Sequence, residues 1–87
     1  GPGAGVAMTV YVAITKDRDG GYRVQLRDGI HRTRPVMQSA KEINRHQARR
    51  TAERLFGDLE WRAPSDCGVD AAYVQDVAIV ETAPGTW

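Results

Sequence analysis

Three side chains of types that commonly bind zinc occur in this sequence: His31, His46 and Cys67. A structural zinc site needs four ligands, which usually come in closely spaced pairs. Here 15 residue positions separate His31 from His46, and another 21 separate His46 from Cys67. The spacing therefore predicts no metal site and indicates that the two histidines lie on the surface.

Candidate nucleophiles are equally isolated. Ser39 and Ser65 lack the Gly-x-Ser-x-Gly context of a nucleophile elbow. Cys67 stands beside carboxylates in SDCGVD, and negative neighbours oppose formation of the reactive thiolate. We expect no catalytic residue among them.

The chain opens on GPGAGV, a glycine-rich stretch of the composition found in phosphate-binding loops. The dinucleotide fingerprint, however, follows a strand and opens a helix, whereas this stretch leads into a predicted strand. The sequence therefore predicts a protein that is not an enzyme, uses no cofactor and takes no small-molecule substrate.

Charge is distributed very unevenly along the chain. Residues 22–54 carry nine Lys or Arg against three carboxylates, while residues 55–87 carry one Arg against six, within a net charge of +1. This asymmetry predicts a basic side and an acidic side, unless the two segments pack together and cancel.

Arginines alternate with apolar residues in YRVQLR, residues 22–27, and continue into the segment after it. Arginines on a twisted sheet can contact phosphates and base edges through paired hydrogen bonds. The candidate nucleic-acid-binding residues are Arg23, Arg27, Arg32 and Arg34. The alternative is that these arginines keep the protein in solution and cover apolar surface with their long stems.

Three strands are predicted before the helix. Residues 9–15 are rich in β-branched and aromatic side chains, with Val10, Val12 and Ile14 on one face, and residues 22–27 alternate apolar and polar side chains. KDRDGG between them is typical of a hairpin loop. Asp28-Gly29 predicts a tight type I′ turn. We therefore expect a third strand over 30–34, ended by Pro35 because proline lacks the N–H that a ladder needs.

A helix is predicted from about residue 45 to 56–59. Asn44 is the expected N-cap, with Ile43 packing against Ala48 as a hydrophobic staple. The predicted core, including residues of the helix stripe, is Val10, Val12, Ile14, Val24, Leu26, Ala48, Ala52, Leu55 and Phe56. WRAPSDCG reads as a polar loop, and a fourth strand is expected over 73–81.

These elements predict one α+β domain of order β-β-β-α-β, with the helix on one face of a small antiparallel sheet. We expect residues 8–82 to form it, with 1–7 a tag scar or linker and 83–87 a frayed tail. The chain contains no apolar run of the roughly 20 residues that would span a membrane. Its single cysteine fits a reducing, cytoplasmic location.

GGYRVQLRDGIHRTR followed by ARRTAERL resembles the arm-type DNA-binding domain of tyrosine recombinases. The resemblance covers residues 9–59 and implies a three-stranded sheet, packed on one helix, that enters the DNA major groove. It implies contacts from Tyr22, Arg23, Arg27, Arg32 and Arg34 around a turn at Gly29. The connector PVMQSAKEIN is longer than the usual passage into the helix, and the fourth strand with the acidic C-terminal third has no counterpart in that pattern.

Two functions follow from these observations. The first is a DNA-binding or accessory module that contacts duplex DNA through the sheet arginines, with the exposed helix arginines Arg50 and Arg54 of lesser importance. The second is a protein-interaction or regulatory module, such as a bacterial or phage-encoded modulator, that binds a protein partner or a second copy of itself.

Overall fold

A computed structural model describes residues 7–29, 35–69 and 72–84, with residues 7–9 and 81–84 described by their backbone. The strands are β1, Ala7–Lys16; β2, Tyr22–Asp28; β3, Met37–Gln38; and β4, Val74–Pro84. Helix α1 spans Arg45–Phe56, and a short 3-10 helix spans Pro64–Cys67. The predicted α+β class and the order β-β-β-α-β are confirmed.

The four strands form an antiparallel sheet in the order β3-β2-β1-β4. β1 and β2 make the predicted hairpin, with Lys16 opposite Tyr22. In its loop the N–H of Asp17 donates to the carbonyl of Gly21, and Gly20 takes a φ of +94°. A positive φ of this size is readily reached by glycine and rarely by other residues.

The third strand differs from the prediction. Asp28 stays in the β1–β2 ladder opposite Val10, and no described residue other than glycine has a positive φ. A type I′ turn at Asp28-Gly29 needs a positive φ at both residues, so the predicted type I′ turn does not form there. Leu26 instead pairs with Met37, later in the chain than a tight turn would place its partner. The predicted strand over 30–34 lies outside the described residues.

Helix α1 begins and ends where its capping residues predict. The Asn44 side chain accepts the Gln47 N–H at 2.8 Å, and Gly57 closes the helix with a φ of +85°. The staple is wrong: Ile43 is 82% exposed, so it does not pack against Ala48. Leu55 is also wrongly assigned to the core, because it is 53% exposed.

The main core lies between α1 and the sheet. Val12, Ile14, Val24, Ala48 and Ala52 are buried there, with Tyr22, Leu26, Phe56, Leu59 and Trp61 packed around them. The predicted core is therefore confirmed for most of its members, whereas Val10 is only half-buried. The two alanines let the helix backbone approach the sheet closely.

The opposite face of the sheet is covered as well. After α1 the chain crosses the outer edge of β4, where Arg62 and Val77 exchange backbone hydrogen bonds of 2.8 and 3.0 Å. Cys67 and Val69 then pack against Ala13 and Val77. The predicted polar loop is thus a second covering layer, which leaves the central strand β1 buried on both faces from Val12 to Thr15.

Both terminal strands are longer than predicted. β1 begins at Ala7 and β4 continues to Pro84, and these two residues lie opposite each other in the ladder. Residues 83 and 84 therefore belong to a strand in this structure, while residues 1–6 and 85–87 lie outside the described part.

Candidate nucleic-acid interface

Arg23 lies on the sheet face away from α1, because it alternates with Tyr22 and Val24 along β2. Its Nε donates to the Asp17 carboxylate at 2.9 Å, and its Nη1 donates to the Ser39 carbonyl at 3.1 Å. The side chain is 28% exposed. Arg23 therefore joins the β1–β2 loop to the segment after β3.

Arg27 lies on the same face and is buried, with 7% of its surface exposed. Its Nη1 donates to Gln25 Oε1 at 2.7 Å, and Gln25 Nε2 donates to Gln38 Oε1 at 2.6 Å. This chain of hydrogen bonds connects β2 to β3 across the face. In this conformation Arg27 offers little surface to an external partner.

The other two predicted contact residues, Arg32 and Arg34, lie outside the described residues. The structure therefore places Arg23 and Arg27 on one sheet face, as the alternation along β2 predicts. It also gives each of these two side chains a partner inside the protein.

A second group of basic side chains holds α1 to the sheet. Arg45 donates to both oxygens of Asp76 at 2.6 Å, and Arg49 donates to the same oxygens at 2.6 and 3.2 Å. The Asp76 side chain is 4% exposed, whereas those of the arginines are about one-third to one-half exposed. We call Arg45, Arg49 and Asp76 the Asp76 cluster.

Electrostatics of the Asp76 cluster follow from this geometry. Burial alone would raise the pKa of Asp76, but the hydrogen bonds from Arg45 and Arg49 outweigh it and hold that pKa below its ordinary value of 3.8. The hydrogen bond to Asp76 likewise raises the pKa of Arg45. Asp76 and Arg45 are therefore charged at neutral pH, and the cluster is held together by ion pairs.

Trp61 completes this side of the helix. The Arg49 guanidinium lies 5.8 Å from the centre of the indole ring, within the range of a cation–π interaction. The indole N–H is buried and has no hydrogen-bond acceptor among the described residues. Apolar packing and the guanidinium therefore determine the position of the ring.

Lys41 is a further internally paired cation of the basic segment. Its ammonium binds the Asp19 carboxylate and lies 3.7 Å from that of Asp17. The hydrogen bond from Lys41 lowers the pKa of Asp19. The stem of Lys41 crosses directly over Gly21, where a Cβ would overlap its Cγ and Cδ atoms. Glycine at this position therefore allows the lysine to reach the loop.

The outer side of α1 has a different character. His46, Arg50 and Arg54 follow one another at intervals of four residues, and all three are exposed. The Arg50 guanidinium makes no hydrogen bond or ion pair with the described residues, and Arg54 donates to the Thr51 hydroxyl at 3.0 Å. We call His46, Arg50 and Arg54 the outer row. Glu53 is exposed near it and makes no ion pair within the described structure.

Sequence reasoning found the outer row but missed the Asp76 cluster. Asp76 is a charged residue inside the valine-rich strand VQDVAIV, on the sheet face that α1 covers. A carboxylate at a buried strand position needs a partner, and the nearby helix carries arginines at 45 and 49. That combination was the available signal.

The described residues contain neither a metal-binding group nor a membrane-spanning helix. Within the described ranges, no group of three or more His, Cys, Asp or Glu side chains could hold a metal ion. Likewise, the helices in these ranges are all too short or too polar to cross a membrane.

We compared the chain with protein families, with curated proteins and with solved structures, and none of these comparisons found a match. The resemblance to arm-type domains therefore stays a prediction from the sequence pattern.

Proposed function

We propose that this protein is a small, cytoplasmic, non-enzymatic module that binds duplex DNA through exposed cationic side chains. The observation that carries the proposal is a set of basic side chains that pair with no carboxylate of the described protein. Lys16, Arg18, Arg50 and Arg54 are exposed and have no carboxylate partner among the described residues. Such unpaired cations favour the phosphate backbone of a nucleic acid, because their binding releases the counterions that are condensed on it.

Paired charges in a surface depression support a non-enzymatic role. The open depression beside the β1–β2 loop is lined by Asp19, Gly20, Gly21, Lys41, Glu42 and Ile43. The Lys41 ammonium and the Asp19 carboxylate bind each other, so neither group is placed to transfer a proton to a ligand. This arrangement supports a binding module over an enzyme.

Arg23 and Arg27 on the sheet contribute less to the proposed DNA contact. An arm-type contact would need Arg23 and Arg27 to leave their partners, and breaking such hydrogen bonds has a free-energy cost that DNA contacts would have to exceed. Arg32 and Arg34 remain proposed contacts that would extend the positive surface.

A salt titration tests the proposal. Binding of the purified protein to a random-sequence duplex should weaken steeply as salt rises, with log K linear in log salt. The buffer and its pH stay the same throughout the titration, so that only the salt concentration changes. Lack of binding at about 20 mM salt, well below physiological ionic strength, would reject a DNA-binding role.

A protein-interaction module is the second candidate, supported by exposed apolar side chains. Ile43, Val36, Leu55 and Tyr73 expose between 49% and 82% of their surface. β3 forms one edge of the sheet, and an exposed edge can pair with a strand from another molecule. Sedimentation velocity over a range of concentrations would reveal a homodimer, and a strictly monomeric protein that ignores DNA would point to a different protein partner.

A further inference from the structure

We infer that the outer row of α1 is the surface that docks on the backbone of duplex DNA, with binding that does not depend on base sequence. This inference rests on the proposed function and names the surface, the part of the duplex it contacts and the kind of recognition. It differs from the sequence-based expectation, which placed the contact on the sheet.

The first step is the partition of the basic side chains. Arg23, Arg45, Arg49 and Lys41 pair with carboxylates of the protein itself. Those carboxylates are Asp17 and Asp19, which lie in the β1–β2 loop, and Asp76, which lies in β4. Arg27 is buried beside Gln25. Phosphates would therefore compete with existing partners at each of these positions.

The second step is the geometry of the row. Residues four apart on a helix lie on one side and are separated by about 6 Å along the axis. Arg50 and Arg54 can thus reach different phosphates of one strand, which follow one another every ~3.4 Å along the duplex. His46 lies one further turn away and can donate a ring N–H to a third phosphate.

The third step is the chemistry of the surrounding surface. The exposed side chains of α1 include no Phe, Tyr or Trp, whereas proteins that bind single strands stack the bases on such side chains. Nor do the described contacts fix the Arg50 guanidinium in one orientation, as the reading of a base edge requires. The row therefore suits backbone contact with a duplex.

One acidic residue marks the same surface. Glu53 lies one turn or less from Arg50 and Arg54 and should repel an approaching phosphate. If the row docks on DNA, the charge of Glu53 lowers affinity, and removing it should strengthen binding.

The test compares matched double variants by fluorescence anisotropy with two duplexes of unrelated sequence. Arg50→Gln/Arg54→Gln should reduce the salt slope by about 1.8, the value for two phosphate contacts. Lys16→Gln/Arg18→Gln removes the same charge from the β1–β2 region and should change the slope much less. Glutamine is used because it preserves helix propensity.

A single-charge comparison supplies a second readout of opposite sign. Glu53→Gln should raise affinity, while Asp66→Asn, an exposed carboxylate in the 3-10 helix, should not. Equal losses from the two double variants, or a preference for one duplex sequence that disappears with the row, would overturn the inference while DNA binding itself stands. A wild-type protein that does not bind either duplex would instead reject the proposed function.

Discussion

Asp76 connects β4 to α1 through hydrogen bonds from two arginines of the helix. Replacing it with asparagine keeps the shape but removes the charge that accepts four hydrogen bonds from Arg45 and Arg49. Because hydrogen bonds to charged groups contribute more than neutral ones, we expect Asp76→Asn to lower the free energy of unfolding by about 1.5–3 kcal/mol at pH 7. Urea unfolding measures this, with Asp66→Asn as the exposed control.

The pH dependence of the same variant is a separate prediction. The folded pKa of Asp76 lies below 3.8, so its contribution to stability is complete above the unfolded pKa and is lost as pH falls through the folded one. The stability difference between wild type and Asp76→Asn should therefore be constant from neutral pH to about pH 5 and shrink in stronger acid. A difference that grows on acidification would contradict the ion-paired assignment.

Gly21 gives a prediction about a close approach. A methyl group there would displace the Lys41 stem and separate its ammonium from Asp19 and Asp17. Gly21→Ala should therefore destabilise the wild type more than it destabilises a Lys41→Ala protein, in which no stem crosses the glycine. Identical effects in the two backgrounds, measured as a double-mutant cycle, would show that the crossing is unimportant.

Among the secondary-structure elements, the ends of α1 could be predicted from its capping residues. The orientation of the helix on the sheet could not, because it depends on packing. Asn44 and Gly57 act locally, so the sequence specifies both ends of the helix. The orientation of the helix depends on which side meets the sheet. Two small residues, Ala48 and Ala52, lie at the contact, which moves Leu55 to the flank. The apolar stripe alone did not distinguish these orientations.

The helix orientation leads to a matched pair of stability predictions. Ile14 is fully buried and Leu55 is 53% exposed, although both are large aliphatic residues. Ile14→Ala should cost about 2–5 kcal/mol, because it leaves a cavity in the core. Leu55→Ala should cost about 0.5–1 kcal/mol, since much of its surface stays in water in the folded state. Comparable losses in urea unfolding would mean that the helix is rotated.

The third strand shows where local turn signals are insufficient. Asp28-Gly29 has the composition of a tight turn, yet Asp28 remains paired with Val10 in the long β1–β2 ladder. Extending an existing ladder satisfies the backbone of Asp28 without the positive φ that a type I′ turn demands of it. β1 is longer than its sequence pattern indicates, and that length was the missing information.

For the whole molecule, the uneven charge of the sequence is partly cancelled by folding. Asp76 belongs to the acidic last third of the chain and pairs with two arginines of the basic segment, so that it cancels one of their two positive charges. The sequence could identify the basic segment and the outer row, because helical spacing is a local property. It could not separate paired from unpaired arginines, since that depends on β4 meeting α1 in space.

The central claim is that the arginines of α1 divide into two pairs. Arg45 and Arg49 stabilise the fold through Asp76, whereas Arg50 and Arg54 are exposed and have no carboxylate partner among the described residues. Urea unfolding at pH 7 of Arg45→Gln/Arg49→Gln and Arg50→Gln/Arg54→Gln tests it most directly, because both variants remove two charges from one helix. The first should lose about 1.5–3 kcal/mol, and the second should stay within about 0.5 kcal/mol of wild type. Equal losses, or a greater loss from the Arg50/Arg54 pair, would contradict the division.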